Sequence, residues 1–153
     1  MNGWLTYRRQ RKDKADESAD ALRQRREEFE LQHLVETNQK LHAYLERFHD
    51  FTSAARKARM AEQQNRPHLD GALTTAHDAL DEAEGALHGN VGFILDDEIR
   101  SKVRQAMTYI DLAAADALTG DSVPYGEVGR VINEAFGALS QRVRAIYADQ
   151  PAA

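Results

Sequence analysis

Apolar residues recur along this chain at alternating spacings of three and four, the signature of helices that bury one face. Leu69, Leu73, Ala76, Leu80, Ala83 and Leu87 form one such stripe, and Ile99, Val103, Ala106, Ile110, Ala113 and Ala117 form a second. Val128, Ile132, Ala135, Leu139 and Ile146 form a third, with Val143 beside it. Ahead of them, Leu34, Leu41 and Phe48, joined by Tyr44, Leu45 and Phe51, mark the best-patterned part of a much longer segment. No stretch alternates with the period of two expected of a half-buried strand, so the pattern predicts an all-α chain.

The punctuation agrees. From Trp4 through Arg66 there is neither glycine nor proline, which predicts one continuous helix stopped by Pro67, because proline disfavours the α region for the residue before it. A second helix is expected from Pro67 to about His88, closed by the turn Gly89-Asn90-Val91-Gly92. The third is expected to open on Asp96 as N-cap, with Asp97 and Glu98 at the positive helix end, and to stop at Gly120. The fourth follows Pro124 and reaches about Ala148. Gly126, Gly129 and Gly137 within it predict close helix approach, since each costs about 1 kcal/mol relative to alanine.

Four amphipathic helices with short connections predict an antiparallel up-down four-helix bundle. At 1.5 Å per residue the last three helices are each roughly 33–38 Å long and the first about 90 Å. The first helix is therefore expected to project from the bundle. The predicted organisation is an arm over residues 1–28, a bundle domain over 29–149, and a frayed terminus over 150–153. The arm's apolar content is a thin seam, Ala15, Ala19, Leu22 and Phe29, interrupted by Arg26.

Composition narrows the chemistry. The 153 residues include no cysteine, which removes thiolate catalysis, disulfides and cysteine-ligated zinc. No apolar run approaches the roughly 20 residues of a spanning helix, and no secretory leader pattern is present, so a cytoplasmic location is expected. Neither a Gly-x-Ser-x-Gly elbow nor a glycine-rich phosphate loop occurs. Asp96-Asp97-Glu98 resembles a paired-carboxylate site but reads more economically as an acidic first turn. No catalytic residue and no cofactor is expected.

The one pattern with metal-ligand spacing is a pair of Glu-x-x-His strings, Glu30 to His33 and Glu46 to His49. Lying about 24 Å apart on one helix and pointing in directions about 160° apart, they do not share a metal within one chain. His42, Glu46 and His49 line one helical flank, the weak metal candidates on which an alternative reading as a metal-binding or enzymatic bundle rests. A solvated polar flank is the preferred reading of them, and no metal site is expected. His68, His77 and His88 fall at a helix start, on a polar side and in a last turn.

Charge is what singles out the beginning of the chain. The net charge is −5, yet Arg8, Arg9, Arg11, Lys12 and Lys14 stand against Asp13 alone over the first 14 residues. Residues 67–121 carry eleven acids against Arg100, Lys102 and Arg104. The acidic body disfavours nucleic acid. Trp4 and Tyr7 ahead of the basic run suit an anionic membrane surface, where each cation adds about 1 kcal/mol. The arm residues Trp4, Tyr7, Arg8, Arg9, Arg11, Lys12, Lys14, Leu22 and Phe29 thus mark a candidate interaction surface. Its expected partners are another protein or a second copy in a weak antiparallel homodimer, with Arg8–Lys14 beside the other copy's Asp16–Glu30.

The Arg8–Arg26 region, the amphipathic stretch from Glu28-Phe29-Glu30 to Phe51, the Asp97-Glu98-Ile99-Arg100 helix start and the closing Phe136 to Arg144 string together resemble a class of small actinobacterial helical proteins. In that class a short membrane helix precedes an Arg-rich segment and a helical domain, and this sequence lacks that membrane helix. The resemblance implies a helical domain and no activity. The function expected is that of a non-catalytic helical interaction or scaffold module that presents the charged arm, with a membrane surface as one place to do so.

Overall fold

A computed structural model describes the backbone of residues 3–64 and 70–149, and the side chains of residues 14–64 and 71–149. The chain is all-helical: α1 (Gly3–Gln63), α2 (Asp70–Val91), α3 (Asp97–Thr119) and α4 (Tyr125–Asp149), with no strand among the described residues. Pro67, His68, Leu69 and residues 150–153 lie outside the described residues, as do the side chains of Trp4, Tyr7, Arg8, Arg9, Arg11 and Lys12.

One hydrophobic core joins all four helices. The α1 contribution is a single stripe at spacings of four and three, Leu34, Leu41, Tyr44, Phe48, Phe51 and Ala55, all buried. Large side chains such as Phe48 and Phe51 each stabilise by about 1.5–3 kcal/mol when taken out of water. Every apolar position expected to face inward on α3, from Ile99 to Ala117, is buried, as are Val128, Ile132, Ala135, Leu139 and Ile146 on α4. On α2, Leu80 and Leu87 are fully enclosed, while Leu73, Ala76 and Ala83 are partly covered.

The α3 boundaries follow the expected chemistry. Asp96 accepts from the Glu98 and Ile99 amides at 2.9 and 3.0 Å, satisfying two donors that the first turn leaves open. Gly120 closes the helix at φ 93°, a left-handed conformation that a side chain disfavours. The Arg59 guanidinium donates to the Ala117 carbonyl, placing a cation at the negative end of α3.

Two local expectations are corrected. The α2 helix does not stop at His88 but continues through Gly89 and Asn90 to Val91, because Asn90 and Val91 are both buried and Asn90 is bonded into α1. The α4 glycines do not mark close helix approach: a Cβ at Gly126, Gly129 or Gly137 would meet nothing within 4 Å. Their faces are open rather than packed.

Candidate interaction surface: the arm and its root

The side chains of residues 14–29 are exposed throughout, apart from partial cover of Glu27. Leu22 is 63% exposed and Phe29 42%. Among the described side chains the first buried residue of α1 is an acid, Glu30, and it marks where the helix joins the core. Its carboxylate receives two bonds from the Arg142 guanidinium of α4, Nε at 2.7 Å and Nη2 at 3.0 Å. A two-point guanidinium–carboxylate pair fixes orientation as well as distance. The Glu30 carboxylate in turn raises the affinity of Arg142 for its proton.

One turn further in, a polar knot ties α1 to the end of α2. The Thr37 hydroxyl donates to the His33 carbonyl at 2.7 Å, and the Asn90 amide donates to the Thr37 hydroxyl at 2.7 Å and to the His33 carbonyl at 3.2 Å. Lys40 donates to the Asn90 side-chain oxygen at 3.5 Å. Thr37 and Asn90 are both buried, so the bonds offset the desolvation of these groups and fix the relative height of the two helices.

Aromatic rings cluster on the outer side of the knot. The His33 ring stacks on Phe93 with centroids 4.8 Å apart, and Phe29 meets His33 edge-on at 4.3 Å and Phe93 at 6.4 Å. Phe93 is half exposed. Among the described residues His33 Nδ1 has no hydrogen-bond partner; it lies 3.7 Å from a Glu36 carboxylate oxygen, too far for a hydrogen bond. Phe29 and Phe93 thus form an apolar shoulder at the root of the arm.

The other candidates fall elsewhere. His42, Glu46 and His49 are all exposed on α1, and the His42 ring stacks on Phe136 of α4 at 4.0 Å. Among the described residues no group of three histidine or carboxylate side chains is arranged to hold a metal. His77 sits edge-on to Phe51 and 3.3 Å from Asp81. Asp97 pairs with Arg100, and Glu98 with Lys102 at 2.8 Å, so the acidic triplet at the start of α3 serves its helix. Lys14, the last of the basic run, is exposed.

Sequence reasoning missed the polar members of the core. Glu30 and Thr37 occupy the same four-three register as Leu34 and Leu41, and Asn90 lies three residues beyond Leu87; a polar residue on an apolar stripe was the available signal. It also missed that the fully buried Tyr44 donates its hydroxyl to Asp111 of α3. Burial pushes the Tyr44 phenol far above its usual range, and Asp111, Glu84 and Asp81 push it further.

Among the described residues no helix is long and apolar enough to cross a membrane. Comparison with protein-family models, with curated proteins and with solved structures finds no match to this chain.

Proposed function

We propose that this chain is a non-catalytic helical interaction module: an up-down antiparallel four-helix bundle whose first helix overshoots the others and presents a charged arm. The pairings between helices support the topology. Along α1, Thr37 meets Asn90 and Phe51 meets His77, whereas Tyr44 meets Asp111 and Arg59 meets Ala117. Glu30, His42 and Phe48 meet Arg142, Phe136 and Tyr125 in falling order along α4. The overshoot is supported by length, 61 residues in α1 against 22, 23 and 25 in the others, about 90 Å against roughly 33–38 Å.

The observation that carries the reading is the division of α1 at Glu30. Among the described side chains every buried α1 residue lies from Glu30 to Ala61, and those before it, Lys14 to Phe29, cover no core. More than four turns of helix, held at the root by Arg142 and Asn90 yet without a face of their own chain to pack on, suit a surface used by something else. Isolated helices of this length are marginal in water, so a partner that covers the seam also stabilises the helix. The test is affinity capture from host lysate with the full chain and with a chain lacking residues 1–28. Arm-dependent capture is expected. Identical capture by both chains overturns the reading.

A further inference from the structure

Resting on the reading of α1 as an interaction arm, we propose that the arm's seam is occupied by the arm of a second copy of this chain, laid antiparallel and centred between Asp20 and Ala21. Charge complementarity along the helix points to this occupant. Asp16, Arg23 and Glu30 recur every seven residues and alternate in sign, so they line one flank of the seam formed by Ala15, Ala19, Leu22 and Phe29. When two such arms run in opposite directions about that centre, Asp16 of each copy stands beside Arg23 of the other, about 3 Å from level with it and within reach of an ion pair. Glu30 is already held by Arg142, so the central Asp16–Arg23 pairs set the register. Both residues are exposed, and among the described residues Arg23 pairs with Asp20 of its own helix at 3.0 Å.

The seam agrees with the same centre. Ala19 falls opposite Leu22 of the other copy, so the largest side chain of the central seam meets a small one in each central layer. Arg26, which interrupts the seam, falls opposite Ala15, where its aliphatic stem covers the small residue and its head reaches water. A parallel pair would instead set Arg26 against Arg26. Antiparallel pairing also carries the basic residues 8–14 of each copy toward the acidic stretch and the Phe29–Phe93 shoulder at the other's root. With so few large apolar residues, the interface falls at the low end of specific contacts, below roughly 1,200 Å², and depends on concentration. Its exposed charge pairs make it weaken with salt.

Sedimentation equilibrium of the full chain tests this, with Asp16→Arg, Arg23→Asp and an equimolar mixture of the two. Wild type is expected to dimerise at low salt. Each single reversal turns two attractive pairs repulsive, and its self-association is expected to fall about tenfold or more. The mixture is expected to recover the dimer. In a mixed pair the arginine introduced at position 16 of one copy meets the aspartate introduced at position 23 of the other, and the second pair is the native Arg23 with the native Asp16. Native mass spectrometry should show these mixed-composition dimers. Both substitutions lie on exposed helical surface, and circular dichroism confirms that each variant is folded. A mixture that associates no better than its parents overturns the antiparallel register. A wild type that stays monomeric into the hundred-micromolar range at low salt overturns the second copy as occupant. If that monomer still shows arm-dependent capture, or floats with phosphatidylserine vesicles, the interaction-arm reading stands with a different occupant. If it shows neither, both fail.

Discussion

Replacing Tyr44 with Phe should destabilise the protein at neutral pH and stabilise it in strong alkali, with a crossing between. The ring is fully buried beneath α3, and its hydroxyl donates to the Asp111 carboxylate. A hydrogen bond to a charged group contributes about 1.5–3 kcal/mol. Asp111 is exposed, so water replaces the lost donor and the net cost of Tyr44→Phe falls to about 1 kcal/mol at pH 8. Alkali reverses the balance. Burial first, then the Asp111 hydrogen bond and the charges of Asp111, Glu84 and Asp81, hold the phenol protonated far above its usual range. In the unfolded chain it ionises near pH 10. Above that pH the native state binds the extra proton, so stability falls as pH rises, by about 1.4 kcal/mol per pH unit from this group. Phenylalanine has no proton to lose. Urea denaturation followed by circular dichroism should therefore find the variant weaker at pH 8, level with wild type near pH 11 and stronger beyond. The other four tyrosines are common to both chains and cancel in the difference. A gap that stays constant from about pH 8 to pH 11.5, or phenolate absorbance showing that all five tyrosines of the folded chain ionise near pH 10, would refute the reasoning.

The remaining predictions concern the carboxylates and the glycines. Burial, with repulsion from Asp111 and Asp81, raises the Glu84 carboxyl above its usual range, so its charged form opposes folding once the pH climbs through that window. Glu84→Gln should thus raise the thermal midpoint at pH 7 but not at pH 4; a lower midpoint at pH 7 would show that Glu84 is attracted rather than repelled. Arg142→Met strands the buried Glu30 carboxylate and should cost about 2 kcal/mol, reduced from the 3–5 of a fully enclosed pair because the Arg142 side chain is 38% exposed. Adding Glu30→Gln should recover part of that loss in a double-mutant cycle, and strict additivity would deny the pair. Two glycine changes should have opposite signs by chemical denaturation. Gly137→Ala, with open space at its Cβ, should stabilise by about 1 kcal/mol. Gly120→Ala should destabilise by about 1–2 kcal/mol, since φ is 93° there and its Cβ would lie 3.1 Å from the Arg59 guanidinium carbon.

Helix content, the inward faces of α3 and α4 and the Asp96 and Gly120 caps were all legible in the linear chain. Each depends on residues within a turn or so of one another: a 3.6-residue period, a side chain reaching an amide two or three positions on, a left-handed conformation open to glycine. The basic run and thin seam on which the proposed arm rests are themselves properties of composition and spacing. Contacts across the fold were not legible. Glu30 and Arg142 are separated by 112 positions, Tyr44 and Asp111 by 67, and Asn90 and Thr37 by 53, and no local rule joins an acid on one stripe to a base on another. The end of α2 shows the same limit in reverse. Gly89-Asn90-Val91-Gly92 has the chemistry of a turn, but burial of Val91 and the bonds from Asn90 into α1 carry the helix to Val91. The α4 glycines likewise suggested close packing until their surroundings proved open. Periodicity says which face of a helix turns inward. Which residue it meets there, and how much space lies between, is decided only when four helices settle against one another, because burial and pairing belong to the neighbours as much as to the residue itself.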